Sequence, residues 1–406
     1  MNPSASGWIP KFLTLIEKQH LIENINDEIL FYNELKTTGF LYGTSIETIY
    51  DKPLSKLTIT TDEYTKINLF HTLLFTFFIN NPKDQFEDAI DSILNFYKII
   101  EKGKTGFLSK LSFSRSSTDN LEHIFAARLQ ETNSILKKKS TTILTYAFLY
   151  LDILTYKNYL KYPHNFKKYS EELESDIINI SFLALKAKSD KNKFDSQIID
   201  LLESSTAYLT VHKEQKSFLS LEHLLADHNY NVLEKKYIID LCCMAVWNDK
   251  KLDPSENQFL IDLVQLLNVP EKEIQNNLFQ IRQFSEKHSK KIKLFNYSNP
   301  FNQLYNQSAA TVKHLVLRNK NRLIRELEES GELVLLLGQS TLRELSTEEK
   351  DKVKEQLLDI CKTVPSLTIF LIPGGSLLLP LLVKYIPSLL PSAFQENRIN
   401  PKKDNK

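Results

Sequence analysis

The sequence predicts an all-α, multi-domain helical protein that ends in a proline-punctuated hydrophobic membrane segment. Three observations carry this. Apolar residues recur at spacings of three to four along most of the chain, the period of one helix face. Glycine is scarce, 9 of 406 residues, about 2% against a usual ~7%. That argues against Rossmann sheets and small β-barrels, whose tight turns need it. Alternating strand patterns joined by Asn-Gly or Asp-Gly turns are missing.

At about 150 residues per domain, a chain of 406 residues holds two or three domains. An apolar fraction of 42% and a charged fraction of 25% are those of a folded protein. The 51 basic and 50 acidic residues leave a net charge of +1. No whole-molecule field therefore draws nucleic acid or acidic lipid, and any such binding comes from a local patch. No DNA partner is expected. The three cysteines, Cys242, Cys243 and Cys361, include no CxxC pair. That excludes a thiolate zinc site or a disulfide framework and fits buried, reduced thiols on the cytosolic side of a membrane. The N-terminus, MNPSASGWIPKFLTLIEKQH, lacks a basic n-region and a long apolar run, so no signal peptide is expected.

Residues 1–215 read as an all-helical N-terminal domain. Leu13, Ile16, Leu21, Ile25 and Ile29 mark one face of a helix over 11–35. The dense apolar runs 66–80 and 141–156 are too short for spans and predict buried helices, the second interrupted by Asp152. Between them, 112–120 is a polar loop in which Asp119 or Asn120 could cap the next helix.

Residues 216–290 predict a second helical unit, two helices around a short connector. Asp253-Pro254-Ser255-Glu256 is a helix start: Asp253 at N-cap, Pro254 at N1, Glu256 at N3. Phe259, Leu260, Leu263, Leu266 and Leu267 form the core stripe that follows, and Asn268-Val269-Pro270 stops it. This apolar helix, acidic turn and acidic-capped amphipathic helix resemble the TerB-like helical domain.

A basic connector of Lys287, Lys290, Lys291 and Lys293 leads into the third region, 291–406. An amphipathic helix over 309–329 has Val312, Leu315, Val316, Leu323 and Leu327 on its apolar side and Lys313, Arg318, Lys320, Arg322 and Arg325 as its cations. Its two readings are a solvated face and a contact surface for anionic lipid or RNA. A capping box at Ser346-Thr347-Glu348-Glu349 starts a helix to about Lys362. The tail 363–391 then reads TVPSLTIFLIPGGSLLLPLLVKYIPSLLP, with no charge from Thr363 to Val383. That length matches the ~20 apolar residues a bilayer span needs. Pro373, Pro380 and Pro387 recur every seven residues, near one helix face, and Pro373-Gly374-Gly375 could form a re-entrant break. Lys384 can snorkel to the interface with Tyr385 beside it. The rival reading is a central helix of a soluble bundle.

Pro373, Pro380, Lys384, Pro387, Leu390, Pro391, Ser392 and Phe394 make this tail similar to the membrane segment of the Letm-like family, the leucine-zipper/EF-hand-containing transmembrane proteins. The resemblance implies membrane lipid as a partner, the ribosome or another protein as a second, and a place in the mitochondrial inner membrane or in the membranes of bacterial relatives. With the cysteine and N-terminal reading, a bacterial inner membrane with the bulk of the chain on the cytoplasmic side is expected. The resemblance also implies, as an alternative, a cation/proton exchange component, which with one modest span would have to work as a homo-oligomer. The reading of the tail as a core helix gives instead a soluble helical scaffold. Because the chain runs only to Lys406, the ribosome-contacting helices beyond Leu-Pro-Ser-x-Phe are expected to be missing.

No catalytic constellation emerges, so no enzyme activity, cofactor or metal is expected. Gly103-Lys104-Thr105 lacks the glycine that a phosphate loop needs five positions before it. Asp249 to Glu256 lacks the central glycine of a calcium loop and reads as a capped turn. His223, Asp227 and His228 do not share one helix face, which favours surface residues over a metal site.

Overall fold

The computed structural model describes residues 1–16, 27–50, 59–100, 116–129, 147–189, 220–226, 229–247, 252–288, 319–363 and 379–389, with isolated positions between them. No strand occurs among the described residues. The elements are α1 (Trp8–Leu15), α2 (Glu28–Thr37), a 3-10 turn (Phe40–Tyr42), α3 (Thr61–Asn80), α4 (Phe86–Ile100), α5 (Ser117–Arg128), α6 (Tyr150–Lys161) and α7 (Phe166–Lys186). They continue with α8 (Leu221–Leu225), α9 (Val232–Val246), α10 (Pro254–Leu266), α11 (Lys272–His288), α12 (Lys320–Glu329), α13 (Gly331–Gln339), α14 (Thr347–Thr363) and α15 (Leu379–Tyr385).

Two helices are buried on all sides. In α3 every side chain from Thr65 to Phe78 is buried. Its threonines survive there because Thr65, Thr72 and Thr76 donate to the carbonyls of Thr61, Asn68 and Thr72 one turn back, which satisfies each hydroxyl within the helix. Thr60 and Glu63 close a capping box at its start. The helix packs against α4 and α6. In α9, the side chains from Tyr237 to Val246 are buried between α7, α10 and α11, with α2 and the 3-10 turn on another side. One continuous core runs from Trp8 to Ile386 and includes side chains from 1–215, 216–290 and 291–406.

Of the 11–35 stripe the described residues hold the end of α1 and most of α2, whereas Leu21 and Ile25 lie outside them. Asp27 caps α2 by accepting from the Ile29 and Leu30 amides, and the buried faces are Ile9, Phe12 and Ile16, then Phe31, Tyr32 and Leu35. Ile29, on the expected stripe, is exposed. The start of α5 is set by Ser116, whose hydroxyl accepts from the Asp119 amide, so Asp119 and Asn120 lie inside the helix. Gly39 holds φ +84, and a Cβ there would meet the Thr44 carbonyl and the Phe284 ring. Only glycine fits this turn.

The start at Asp253 forms as read, a full capping box with Pro254 in the first turn. Ser189 also donates to Asp253 from its amide and hydroxyl. Burial pushes the Asp253 carboxyl up, but these hydrogen bonds and those from Glu256 and Ser255 win and hold it at about 2. Asn268 ends the following turn at φ +53, a left-handed residue typical of asparagine after a helix. Of the predicted stripe, Leu260, Leu263 and Leu267 are buried and Leu266 is exposed. Cys242, Cys243 and Cys361 are free and buried, and burial pushes all three thiols up.

The described part of the predicted spanning segment does not form a span. No helix among the described residues is long and apolar enough to cross a membrane. Within 363–391 the structure describes a 7-residue helix, α15, followed by a 3-10 turn at Ile386–Leu389 that packs on α13. Leu367, Phe370, Leu379, Leu381, Leu382 and Ile386 are each at most 2% exposed and belong to the protein core. The proline period misled for a physical reason. Pro380 sits in the first turn of α15 and Pro387 in the 3-10 turn, positions where a missing N–H goes unnoticed. They begin short helices rather than line one face of a long one. Lys384 is exposed at the end of α15. Pro373, Gly374, Gly375, Pro391, Ser392 and Phe394 lie outside the described residues.

Candidate interaction surface

The C-terminal helices form a small layered unit: α12 packs on α13, and α13 on α14 and on the 3-10 turn after α15. The predicted capping box forms, with Ser346 Oγ accepting from the Glu349 amide and Glu349 Oε2 accepting from the Ser346 amide at 2.7 Å. Arg343 locks it from outside with a two-pronged pair to Glu349, at 2.8 and 2.6 Å. The guanidinium is the largest cause holding the Glu349 carboxyl at about 2, and Arg343 is raised in return. Glu332 at the start of α13 accepts from Lys352 at 2.8 Å and from Gln356 at 3.0 Å, clasping α13 to α14. Lys352 and Gln356 hold Glu332 below the usual carboxylate range, and Glu332 holds Lys352 above its own.

The apolar side of 309–329 matches the prediction residue by residue: Val312, Leu315, Val316, Leu323 and Leu327 are all buried. The helix does not run through, because Asn319 turns the chain and caps Leu315 from its side chain before α12 begins. Lys313, Lys320, Arg322 and Arg325 are exposed, and Arg318 lies outside the described residues. The charge order along α12 runs against its own dipole. Lys320 and Arg322 stand in the first turn, where the helix end is positive, and Glu328 and Glu329 stand in the last, where it is negative. By contrast, α14 opens on Glu348 and Glu349, the favourable arrangement. The dipole therefore does not explain Lys320 and Arg322 in the first turn of α12.

Three exposed leucines accompany this basic row: Leu317, Leu335 and Leu342. At 65% and 64%, Leu335 and Leu342 are the most exposed large apolar side chains among the described residues. One is on the outer face of α13 and the other in the turn after it. Sequence reasoning missed them because α13 is apolar nearly throughout, and nothing in its spacing tells which leucine points out. It also missed the Glu332 clasp, whose members lie on different helices.

The deep polar clusters are of another kind. Arg128 donates to both Asp152 oxygens, at 3.0 and 3.2 Å, and the Tyr97 hydroxyl donates to Asp152 at 2.9 Å. In a second cluster Asp240 accepts from the Tyr32 hydroxyl at 2.6 Å and from Lys36 at 2.5 Å, and Lys36 also donates to Asn277 at 2.7 Å. Burial, then the neighbouring carboxylate, pushes Tyr97 and Tyr32 up, so both stay protonated donors. All these groups are buried and tie helices together. Asp152, which interrupts an apolar run in the sequence, is the anion of the first cluster. Among the described residues no group of three His, Cys, Asp or Glu is placed to hold a metal. His223 is exposed on α8, whereas Asp227, His228 and Gly103-Lys104-Thr105 lie outside the described residues.

Residues 345–406 match the family described as LETM1-like, RBD. The C-terminal region is similar to LETM1-like proteins. The match opens at Leu345, so it takes in the capping box, α14 and α15 as well as the tail. The matched stretch contains the tail residues Pro373, Pro380, Lys384, Pro387, Leu390, Pro391, Ser392 and Phe394 on which the resemblance was read. No curated protein and no solved structure matches the chain.

Proposed function

We propose that this protein is a non-catalytic helical interaction platform that binds the ribosome through its LETM1-like C-terminal module, 345–406. The match over that region to the family described as LETM1-like, RBD carries the reading. The build of the module supports it. Its first helix, α14, is capped by Ser346 and Glu349, pinned by Arg343 and clasped to α13 by Glu332, so its outer face is held in one position. On that helix Lys350 and Lys354 stand one turn apart and partly exposed, whereas Lys352 is taken up by Glu332 of α13. Cations at this spacing suit a phosphate backbone, which binds lysine as a point charge. The remaining helices, including the TerB-like pair α9 and α10, form the body that presents the module.

Co-sedimentation of the full chain with ribosomes tests this. The chain should pellet with them at 50 mM salt and much less at 200 mM, since release of counterions weakens phosphate contacts steeply. A Lys350→Glu/Lys354→Glu variant should lose binding severalfold with its far-ultraviolet spectrum unchanged. A chain that stays in the supernatant at low salt, or a variant that pellets like the original, overturns the reading.

A further inference from the structure

We propose that 313–342, outside the LETM1-like region, docks flat on an anionic lipid surface. Two features coincide in this stretch. The first is the row of exposed cations, Lys313, Lys320, Arg322 and Arg325, of which Lys320 and Arg322 stand in the first turn of α12, against its dipole. The second is exposed aliphatic surface. Leu317 is 53% exposed and lies in sequence between Lys313 and Lys320, four residues after the first and ahead of the turn at Asn319. Leu335 and Leu342 follow seven residues apart. A single exposed leucine needs no explanation. Here the two most exposed large apolar side chains described, and a third, fall in the same 30 residues as the cations.

That combination selects the occupant. An anionic bilayer surface attracts the lysines and arginines to its headgroups and takes leucine side chains at the acyl boundary. Single-stranded RNA would reward aromatic platforms for base stacking, and no Phe, Tyr or Trp occurs between residues 309 and 342. A protein partner would reward the leucines but gives no reason for cations set against the helix dipole. The docking is peripheral. The opposite side of the same segment, Val312, Leu315, Val316, Leu323 and Leu327, stays in the protein core.

Flotation of the full chain with vesicles tests it, using phosphatidylcholine alone and phosphatidylcholine with phosphatidylglycerol. The chain should float with the mixed vesicles only, and at least tenfold less at 0.5 M salt. Leu335→Gln/Leu342→Gln should reduce flotation about tenfold. So should Lys313→Glu/Lys320→Glu, even though Glu at the first position of α12 favours the helix, so its melting temperature should hold or rise. Ribosome co-sedimentation by both variants should stay as in the original chain, which separates this inference from the ribosome reading. Flotation that is absent, indifferent to lipid charge, or unchanged in both variants overturns it. So does absent flotation with retention on ribosomal RNA, or with self-association, that the same variants abolish.

Discussion

The two ends of the molecule use ion pairs in opposite ways. In the body, Arg128–Asp152 and Lys36–Asp240 are almost fully withdrawn from water, and each carboxylate is also bonded to a tyrosine. In the C-terminal unit, Arg343–Glu349 and Lys352–Glu332 are formed by half-exposed or exposed side chains. The distances are similar, but the consequences are not. A buried charge that loses its partner stays buried and unpaired, whereas an exposed one returns to water. The body is thus locked by its charges. The C-terminal unit is aligned by them and leaves its outer faces to meet something else.

The sharpest break of this contrast is Asp152→Ala. It strands Arg128 in the core and should cost about 3–5 kcal/mol in urea unfolding. Arg128→Met with Asp152→Leu should recover most of that loss, because both charges leave together. Recovery that fails would mean that the pair contributes more than the relief of its own desolvation.

Acid probes the body a second way. His71 is buried between the rings of Phe12 and Phe31, its Nδ1 without a hydrogen-bond partner. Burial lowers its pKa to about 4. The unfolded chain, with a histidine pKa of ~6.5, binds the proton first. This contribution to stability is therefore complete above pH 6.5 and drains as pH falls toward 4, by about 3 kcal/mol in all. His71→Leu should flatten that part of the pH profile, and an unchanged slope would place the titration elsewhere.

Smaller effects come from the surface. Asp253→Ala removes a cap that serves α10 and Ser189 together and should cost about 1 kcal/mol. Arg343→Gln and Lys352→Gln should leave the melting temperature within measurement scatter. A clear drop in either would show that these exposed pairs act as the buried ones do.

How much of this was legible in the sequence depended on range. Local patterns read true: the Asp253 and Ser346 boxes, the buried run of α3 and the five apolar residues of 309–329 each depend on neighbours within a few positions. Failures came where a distant partner decides. Asp152 reads as an interruption until Arg128 and Tyr97 are placed beside it. The tail reads as a span because its leucines show no polar side. In the structure Leu367, Leu379, Leu381 and Leu382 belong to the protein core, and Pro380 and Pro387 stand in short helical turns. For the candidate surface, the cations were readable from spacing, but the outward turn of Leu335 and Leu342 was not, since it depends on where α14 lies.

Hydrogen–deuterium exchange of the full chain, with and without ribosomes, tests the central claim most directly. Slowed exchange is expected in α14 and α15, over 347–385, with α3 and α9 unchanged. Protection confined to the body, or none at all under conditions where the ribosomes are saturating, would contradict the C-terminal module as the ribosome contact.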